Sequence, residues 1–552
     1  MAPTPSKGDA FDYIVVGAGT AGCVVAARLS ENPATRVCLI EAGPRDSHPF
    51  IHIPATVGAA IATPAINWRF LTVPQRGLAN RRIPIPRGHV IGGSGSINGM
   101  VYFRGQPSDY DAWAAAGNPG WSYREVLPYF LRSERNPFYA GSPYHGTEGA
   151  MNVQFVSPPN PMTAAFLSAM ESLGYPRCED FNGPNPEGYG LRQGTILDGR
   201  RVSTATAYLR PASARANLTI LTDALVERVV FDSRRAVGVD IRQGGGRKRL
   251  TARAEIVVSG GSINSPQILM LSGVGEGAHL RQLGIEVVHD LPAVGTNLHD
   301  HLAVAVLMEM RNTDSYGISV RTLPRGAWNL LQYAFGRKGP LASNVFESTA
   351  FLRTVGGLNR PDIQLVFQTA RRNRSTFPLP LGHGFAFSAV NLYPRSRGRI
   401  RLASPDPSAH PDIDPNLLGD PADVAPLVRG VKLGRQLAHS AAFARYKARE
   451  VQPGPAIQEE QAIADYVRRA SSTVHHPVGT CYMSGTDPRS VVDSAFRVRG
   501  VEALRVVDAS VFPSIVGGNT NAPVVMVAER AADLLLGRPQ LPPFPLPASS
   551  PS

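Results

Sequence analysis

At 552 residues the chain exceeds what a single core supports, so two or more domains around a large buried interior are expected. Hydrophobic content of 43% with 18% charged residues excludes a largely disordered chain. A formal charge of +13 would suit an anionic partner, but the arginines are dispersed and no helix-turn-helix, RNA-binding signature or aromatic-basic platform accompanies them, which argues against nucleic acid.

Cys23, Cys38, Cys178 and Cys481 have no CxxC or metal-ligand spacing, so neither disulfides nor a metal site is expected. The first ten residues lack the apolar core of a signal peptide, and no run of eighteen apolar residues occurs. The expectation is a cytoplasmic protein, with peripheral contact to the inner membrane as a further reading. The Pro-rich segment 541–552 reads as a disordered tail.

Taken in chain order, residues 11–43 spell a buried strand (Tyr13 to Val16), a glycine turn (Gly17, Gly19, Gly22), a helix, a second strand and a terminal acid, Glu41. This is the order of a dinucleotide site. The glycines let backbone turn beneath a pyrophosphate, the helix N-terminus presents unpaired N–H groups to it, and the carboxylate suits ribose hydroxyls. Residues 86–105, PRGHVIGGSGSINGMVYFRG, form a second glycine-dense loop, with Ser94, Ser96 and Asn98 interleaved, that favours close approach to a flat or charged ligand.

Residues 218–241 alternate apolar and polar positions around Asp232 to Arg235, predicting antiparallel strands. Residues 254–275 return to a buried strand, a small-residue turn and a helix, so the nucleotide domain resumes late and is discontinuous. Residues 308–472 differ in texture, with helical patches around 424–438 and 457–470, and read as a separate substrate-facing domain. Residues 504–513 predict a strand ending in Asp508, and residues 522–537 a helix stopped by Gly537.

In 324–339, Trp328, Leu331, Ala334 and Phe335 share a helical face, with Arg325, Arg337 and Lys338 at its ends. Such a helix either packs on the substrate domain, the favoured reading, or docks on anionic lipid. Arg371, Arg372 and Arg374 read as a solvated face in preference to an anion site.

Five blocks, GAGTAG with Glu41, PRGHVIGGSGSIN, GGSINSPQILMLSGVG, HHPVGTC at 475–481 and VVDASVFPSIVGGNTNAP at 506–523, together resemble the glucose-methanol-choline flavoprotein oxidoreductases. Within that family the chain looks most like bacterial alkanol- and choline-type dehydrogenases. The resemblance implies an α/β fold: a discontinuous Rossmann-like FAD-binding domain (1–153, 190–307 and 473–540) and a substrate-binding domain on an antiparallel sheet (154–189 and 308–472). It implies FAD contacts at Gly17, Gly19, Thr20, Ala21, Gly22, Glu41, Ala42, Gly92, Gly93, Asn98, Gly99, Met100, Val101, Val226, Asp508, Asn519 and Thr520. His89 and Gly95 depart from the basic residue and serine usual in relatives, and Ile97 stands where covalently flavinylated relatives have histidine, so non-covalent FAD is expected.

By the same resemblance His476 and Asn519 are the catalytic pair. A neutral imidazole takes the hydroxyl proton, a carboxamide holds the oxygen, and a hydride passes to flavin N5. The expected reaction is oxidation of a primary alcohol to an aldehyde, with electrons passed to a quinone or artificial acceptor. An oxidase using O2 and releasing H2O2, for which Val474 offers an apolar approach to the flavin, is the alternative. A lyase or photodecarboxylase on the same scaffold is a third reading, against which the intact His476 and Asn519 speak. Glu347 could attract a quaternary ammonium but does not discriminate choline from alkanols.

Overall fold

In the computed structural model, which describes residues 10–156, 158–371 and 379–545, the β-rich runs Ala10–Val16 and Val37–Ile40 pair in parallel, Tyr13 against Val37 and Val16 against Ile40. Leu218–Leu221 adds outside Val37–Ile40, and Gly246–Val258 and then Leu504–Val506 add on the other side, all parallel. Ile14, Val15, Val37, Leu39, Ile256 and Val257 have no exposed surface, each contributing about 1.5–3 kcal/mol by burial. Helices Thr20–Leu29, Gly261–Leu271 and Asn521–Leu535 cover this sheet with predominantly buried residues, as parallel sheets require.

The strand Gly246–Val258 is long enough to serve two pairings. Its first half runs antiparallel to Arg235–Gln243, which pairs with Ala224–Asp232 across the turn at Asp232 and Arg235. Of the segment 218–241, expected to be antiparallel throughout, Leu218–Leu221 instead joins the parallel sheet. Alternation predicts a strand but leaves its partner open.

The second sheet is antiparallel throughout, in the order Arg449–Gln452, Leu302–Met310, His383–Asn391, Ile363–Gln368, Ser348–Leu352, Gly188–Leu191, with Ser472–Thr473 also on Leu302–Met310. Helices Pro161–Ser172, Val424–Ala438 and Glu460–Ala470 bury Phe166, Leu427 and Val467 against its strands.

The boundaries expected at 189/190, 307/308 and 472/473 each fall inside a strand of this second sheet. Buried strands of either domain have the same composition, so a change of texture lags behind the change of sheet. The disorder expected of 541–552 does not hold for residues 541–545. Leu541 and Phe544 pack on the first core, and their backbone N–H groups donate to the Tyr129 hydroxyl (3.1 Å) and the Arg124 carbonyl (2.7 Å). Proline-rich composition concealed two apolar anchors; residues 546–552 lie outside the described chain.

Candidate active site

The turn after the first strand is built for backbone. Gly17 has φ +97°, and a Cβ there would stand 2.6 Å from the Ser259 carbonyl oxygen; one at Gly22 would stand 1.9 Å from the Gly17 oxygen. No side chain fits at either place, so the N-terminus of Thr20–Leu29 is drawn against the strand end. Glu41 is buried beside it, accepting from the backbone N–H of Ala18 (2.9 Å) and of Gly43 (3.0 Å). Burial outweighs these bonds and raises its pKa to about 7.

The loop at 92–101 closes over this turn. Gly92 N donates to the Ala18 carbonyl (2.7 Å), and Asn98 Oδ1 accepts from Arg201 Nη1 (2.7 Å) and Met100 N (2.9 Å). From Asn344 a carboxamide N–H reaches the Gly99 carbonyl (2.8 Å), tying the loop to the second domain. A cavity of about 510 Å³ runs from the glycine turn past this loop to the second sheet. Every expected cofactor contact lines it except Gly22 and Gly92, which shape the backbone behind it. Thr20 Oγ1 donates to Asn521 Oδ1 (2.8 Å), fastening the two helix starts that meet there.

His476 and Asn519, 43 residues apart in sequence, meet in this cavity: Asn519 Nδ2 lies 3.0 Å from His476 Nε2. On the other side of the ring, His476 Nδ1 lies 3.0 Å from His301 Nδ1, and His301 Nε2 lies 3.0 Å from the Leu392 carbonyl. A carbonyl only accepts, so His301 carries its proton on Nε2. Burial lowers the His301 pKa to about 4, leaving it neutral with a bare Nδ1. His476 therefore donates from Nδ1 and presents a bare Nε2, into which Asn519 donates. Burial first, then His301, Arg87 and His475, hold His476 well below the ordinary imidazole range, so it too is neutral.

The backbone of this turn is fastened as firmly. Asp300 accepts from His476 N (2.7 Å) and from the Thr473 hydroxyl, while Arg87 Nη2 donates to the His475 carbonyl (2.5 Å). His475 sits at φ +70°, the left-handed region, which aims the next residue into the cavity.

Sequence profiles of the GMC oxidoreductases match residues 11–303 and 394–528. The chain belongs to the GMC oxidoreductase family. It is an FAD-dependent flavoprotein oxidoreductase acting on CH–OH groups. This GMC oxidoreductase is 42% identical over 528 residues to an alcohol dehydrogenase (acceptor) of Pseudomonas putida, covering 95% of this chain and 96% of that one. It is 40% identical over 542 residues to an oxygen-dependent choline dehydrogenase of Rhizobium etli, covering 96% of each. The crystal structure of pyridoxine 4-oxidase from "Mesorbium loti" superposes with a TM-score of 0.85 at 32% identity, covering 95% of this chain and 98% of that one.

Elsewhere in the GMC oxidoreductase several expected residues take definite places. Asp508 caps the Ala509–Val511 turn through Ser510 N (2.7 Å) and also accepts from Gly261 N (2.8 Å) and Ser265 Oγ (2.6 Å), so its carboxylate has a structural use where it lines the cavity. Glu347 does not line the cavity. It is buried and accepts four hydrogen bonds, from the Tyr316 hydroxyl (2.6 Å), Ser343 Oγ (2.8 Å), Asn160 N (2.6 Å) and Thr163 Oγ1 (2.9 Å), so the ammonium-binding role weighed for it has no free oxygen face to use.

Arg371 pairs with Glu309 (3.0 Å), while Arg372 and Arg374 lie outside the described residues. The favoured packing of the 324–339 helix is corrected. Helix Leu323–Gly336 has no buried residue, with Trp328 59% and Phe335 88% exposed. Sequence periodicity reveals an apolar face but not whether anything covers it. Among the described residues no helix is long and apolar enough to cross a membrane.

Sequence reasoning missed His301, Asp300, Arg87 and Arg192. The run His299-Asp300-His301, three titratable groups just before a strand, was the available signal for the first two. Arg87 lies inside the PRGHVIGGSGSIN block, which drew attention to its glycines instead, and Arg192, which lines the cavity, has nothing local to mark it.

Proposed function

We propose that this GMC oxidoreductase oxidises a primary alcohol to an aldehyde with non-covalently bound FAD and passes the electrons to a lipid-borne quinone, as a cytoplasmic protein that docks peripherally on the membrane. The observation that carries the reading is the His476–Asn519 contact of 3.0 Å at one end of a cavity whose other end is a dinucleotide turn.

The residues fit FAD. The Cβ-excluding cradle at Gly17 and Gly22 and the helix start at Gly19, Thr20 and Ala21 suit its pyrophosphate. Glu41 and Ala42 suit the ribose, since each Glu41 oxygen keeps a lone pair beyond its backbone bond. Val226 suits the adenine; Gly93, Asn98, Gly99, Met100, Val101, Asp508 and Thr520, which line the cavity, suit the flavin half, with Gly92 shaping the backbone behind them. Ile97 offers no nucleophile for a covalent link. Bound there, FAD supplies the hydride acceptor at N5.

The chain supplies the rest. His476 Nε2, bare in the tautomer set by His301, takes the hydroxyl proton, and the Asn519 carboxamide N–H stabilises the oxygen as charge develops on it. Both groups are half-buried in the cavity wall, and the hydrogen bonds of His476 to His301 and Asp300 fix its geometry before the alcohol arrives. The cationic ring then donates from both nitrogens, to the substrate oxygen on one side and to His301 on the other.

The quinone assignment draws its support from the exposed apolar helix Leu323–Gly336, with Arg321, Arg325, Arg337 and Lys338 around it and no acidic residue from 318 to 340. The similarity to an alcohol dehydrogenase (acceptor) points the same way. Four buried free cysteines accord with a reducing compartment. The second reading, an oxidase, draws on Val474, which lines the cavity next to His475.

The test is anaerobic mixing of the yellow protein with alkanols, polyols, aryl alcohols and choline, followed by air. Bleaching by a primary alcohol with slow reoxidation supports the dehydrogenase; fast reoxidation with stoichiometric peroxide replaces it with the oxidase. Failure of every alcohol to bleach the flavin removes alcohol oxidation itself.

A further inference from the structure

The substrate half of the cavity contains two donors that the protein leaves unused. Arg192 is 4% exposed and its Nη2 has no hydrogen-bond partner; Gln364 is 4% exposed and its Nε2 has none. Both line the same cavity as His476 and Asn519. A buried donor without a partner is costly, and a native site retains it where a ligand completes the bond.

Their places in the sheet are definite. Gln364, Val366 and Gln368 alternate along Ile363–Gln368 and face the cavity together. Gln364 shares a row with Val390 and Ala303, two residues beyond His301, and so lies toward the catalytic end. Gln368 turns its amide to Ser388 Oγ (3.0 Å). Arg192 extends the edge strand Gly188–Leu191, its N–H donating to the Glu347 carbonyl (3.0 Å).

The guanidinium is held in place without being neutralised. Arg192 Nε donates to the Phe346 carbonyl (2.5 Å) and the group lies 5.2 Å from the Phe346 ring centroid. Its one acidic neighbour, Glu347, has its oxygens engaged by four other donors. Among the described lining residues the carboxylates are Glu41, at the dinucleotide turn, and Asp508, which is engaged by Gly261, Ser265 and Ser510. A substrate cation would therefore meet a cation and find no counter-charge. Toward Arg192 the lining passes Val366 and Phe346, with the Gln368 amide already engaged by Ser388.

We propose, resting on the alcohol oxidation argued above, that Arg192 binds a carboxylate at the far end of the substrate, so that the substrate class is a hydroxy acid whose apolar stem joins a terminal CH2OH at His476 to an anion at Arg192. Gln364 is the second specificity residue, donating to an oxygen near the reacting end. Burial lowers the Arg192 pKa to about 9, which still leaves the guanidinium charged at neutral pH. The guanidinium fork then forms charge-assisted bonds that an alkanol of equal length cannot make.

The test uses the flavin-loaded protein with 6-hydroxyhexanoate, 1-hexanol and choline under anaerobic conditions, and a separate titration with hexanoate, which has no alcohol, read as a shift in flavin absorbance. The hydroxy acid is expected to reduce the flavin with an apparent Kd about 10- to 100-fold below that of hexanol. Hexanoate is expected to shift the spectrum and to compete with hexanol. Arg192→Met should remove the hydroxy-acid preference and the hexanoate shift, Arg192→Lys should keep part of both, and Gln364→Leu should weaken hydroxy acid and alkanol alike.

Hexanol or choline reducing the wild-type protein as well as the hydroxy acid does would overturn the inference while alcohol oxidation stands. If no alcohol reduces the flavin, the oxidation reading fails, and hexanoate still decides on Arg192: absence of a saturable shift overturns the carboxylate site. Equal loss of both substrates in Arg192→Met, with an altered resting flavin spectrum, would place the guanidinium against the cofactor and also overturn it. Should Arg192→Met fail to fold, the wild-type comparison and Arg192→Lys carry the same decision.

Discussion

His301 Nδ1 stands 3.0 Å from His476 Nδ1, and two neutral rings share that contact only when one nitrogen is bare. Because His301 spends its proton on the Leu392 carbonyl, His476 is held in the tautomer that leaves Nε2 unprotonated, facing the Asn519 carboxamide in the cavity. His301 is thus a positioning residue for the proposed base. His301→Leu should lower the rate of flavin reduction at saturating alcohol roughly 100-fold, toward the low end of what a general base contributes. His301→Gln should restore most of it, since a carboxamide both donates to Leu392 and accepts from His476. Unequal rates for Leu and Gln variants of equal stability are the signature; equal loss would reduce His301 to packing.

His476 itself is held neutral by burial, with His301, Arg87 and His475 adding in the same direction. A base whose pKa lies far below neutrality is competent at every pH above that value. Flavin reduction should therefore be flat from mildly acid to mildly alkaline solution and fall only below the ordinary imidazole range near about 6.5. A rate still rising through neutral pH would mean that His476 titrates there. His476→Ala, with flavin retained, should cost about 10² to 10⁴ in the same step.

The parts of the site that were legible in the sequence are those whose geometry is local. Gly17, Gly22 and Glu41 are tied to one strand-turn-helix-strand unit, where spacing alone determines what meets what. His476 and Asn519 lie 43 residues apart and were legible only through the blocks around them. His301 reaches His476 because Leu302–Met310 pairs with Ser472–Thr473, and Arg192 enters the cavity because Gly188–Leu191 pairs with Ser348–Leu352. Such register is long-range, and no period or composition encodes it. Glu347 shows the converse: a carboxylate plausible as a cation ligand turned out to be consumed by Tyr316, Ser343, Asn160 and Thr163, which come together from three distant segments.

That arrangement separates stability from selectivity at Glu347. Glu347→Gln replaces one accepting oxygen with a donor amid four donors, leaving at least one buried group unpaired at a cost of about 1–3 kcal/mol. The variant should unfold at lower urea, while the ratio of choline to alkanol reduction rates stays as in wild type. A selective change in choline reduction, with stability unaltered, would return Glu347 to the pocket.

Glu41 predicts a pH dependence of the flavin-free protein. Burial raises its pKa from 4.5 to about 7, so the folded chain holds a proton that the unfolded chain has released between those values. Unfolding in that window releases a proton, and stability falls as pH rises through it, by on the order of 3 kcal/mol for this group. Asp300, raised to about 6, acts in the same direction, which makes the comparison with Glu41→Gln necessary. Urea midpoints at acid and at neutral pH should converge in the variant relative to wild type; an identical fall in both would assign the effect elsewhere.

The helix Leu323–Gly336 leaves Leu323, Trp328, Leu330, Leu331 and Phe335 between 49% and 88% exposed, and large apolar side chains gathered on one exposed element mark an interaction surface. Arg321, Arg325, Arg337 and Lys338 beside it are exposed as well, so a surface that is both anionic and apolar matches it in charge and in chemistry. Basic residues near anionic lipid contribute about 1 kcal/mol each, and the aromatic side chains enter the interface. The folded flavoprotein should sediment with phosphatidylglycerol vesicles and not with phosphatidylcholine vesicles, and binding should weaken at high salt because charge contributes part of it. Trp328→Glu with Phe335→Glu should reduce that binding at least about tenfold while leaving soluble alcohol oxidation with an artificial acceptor intact, since neither side chain lines the cavity. Undiminished sedimentation of the double variant would detach the helix from the membrane and leave the quinone assignment without its structural support.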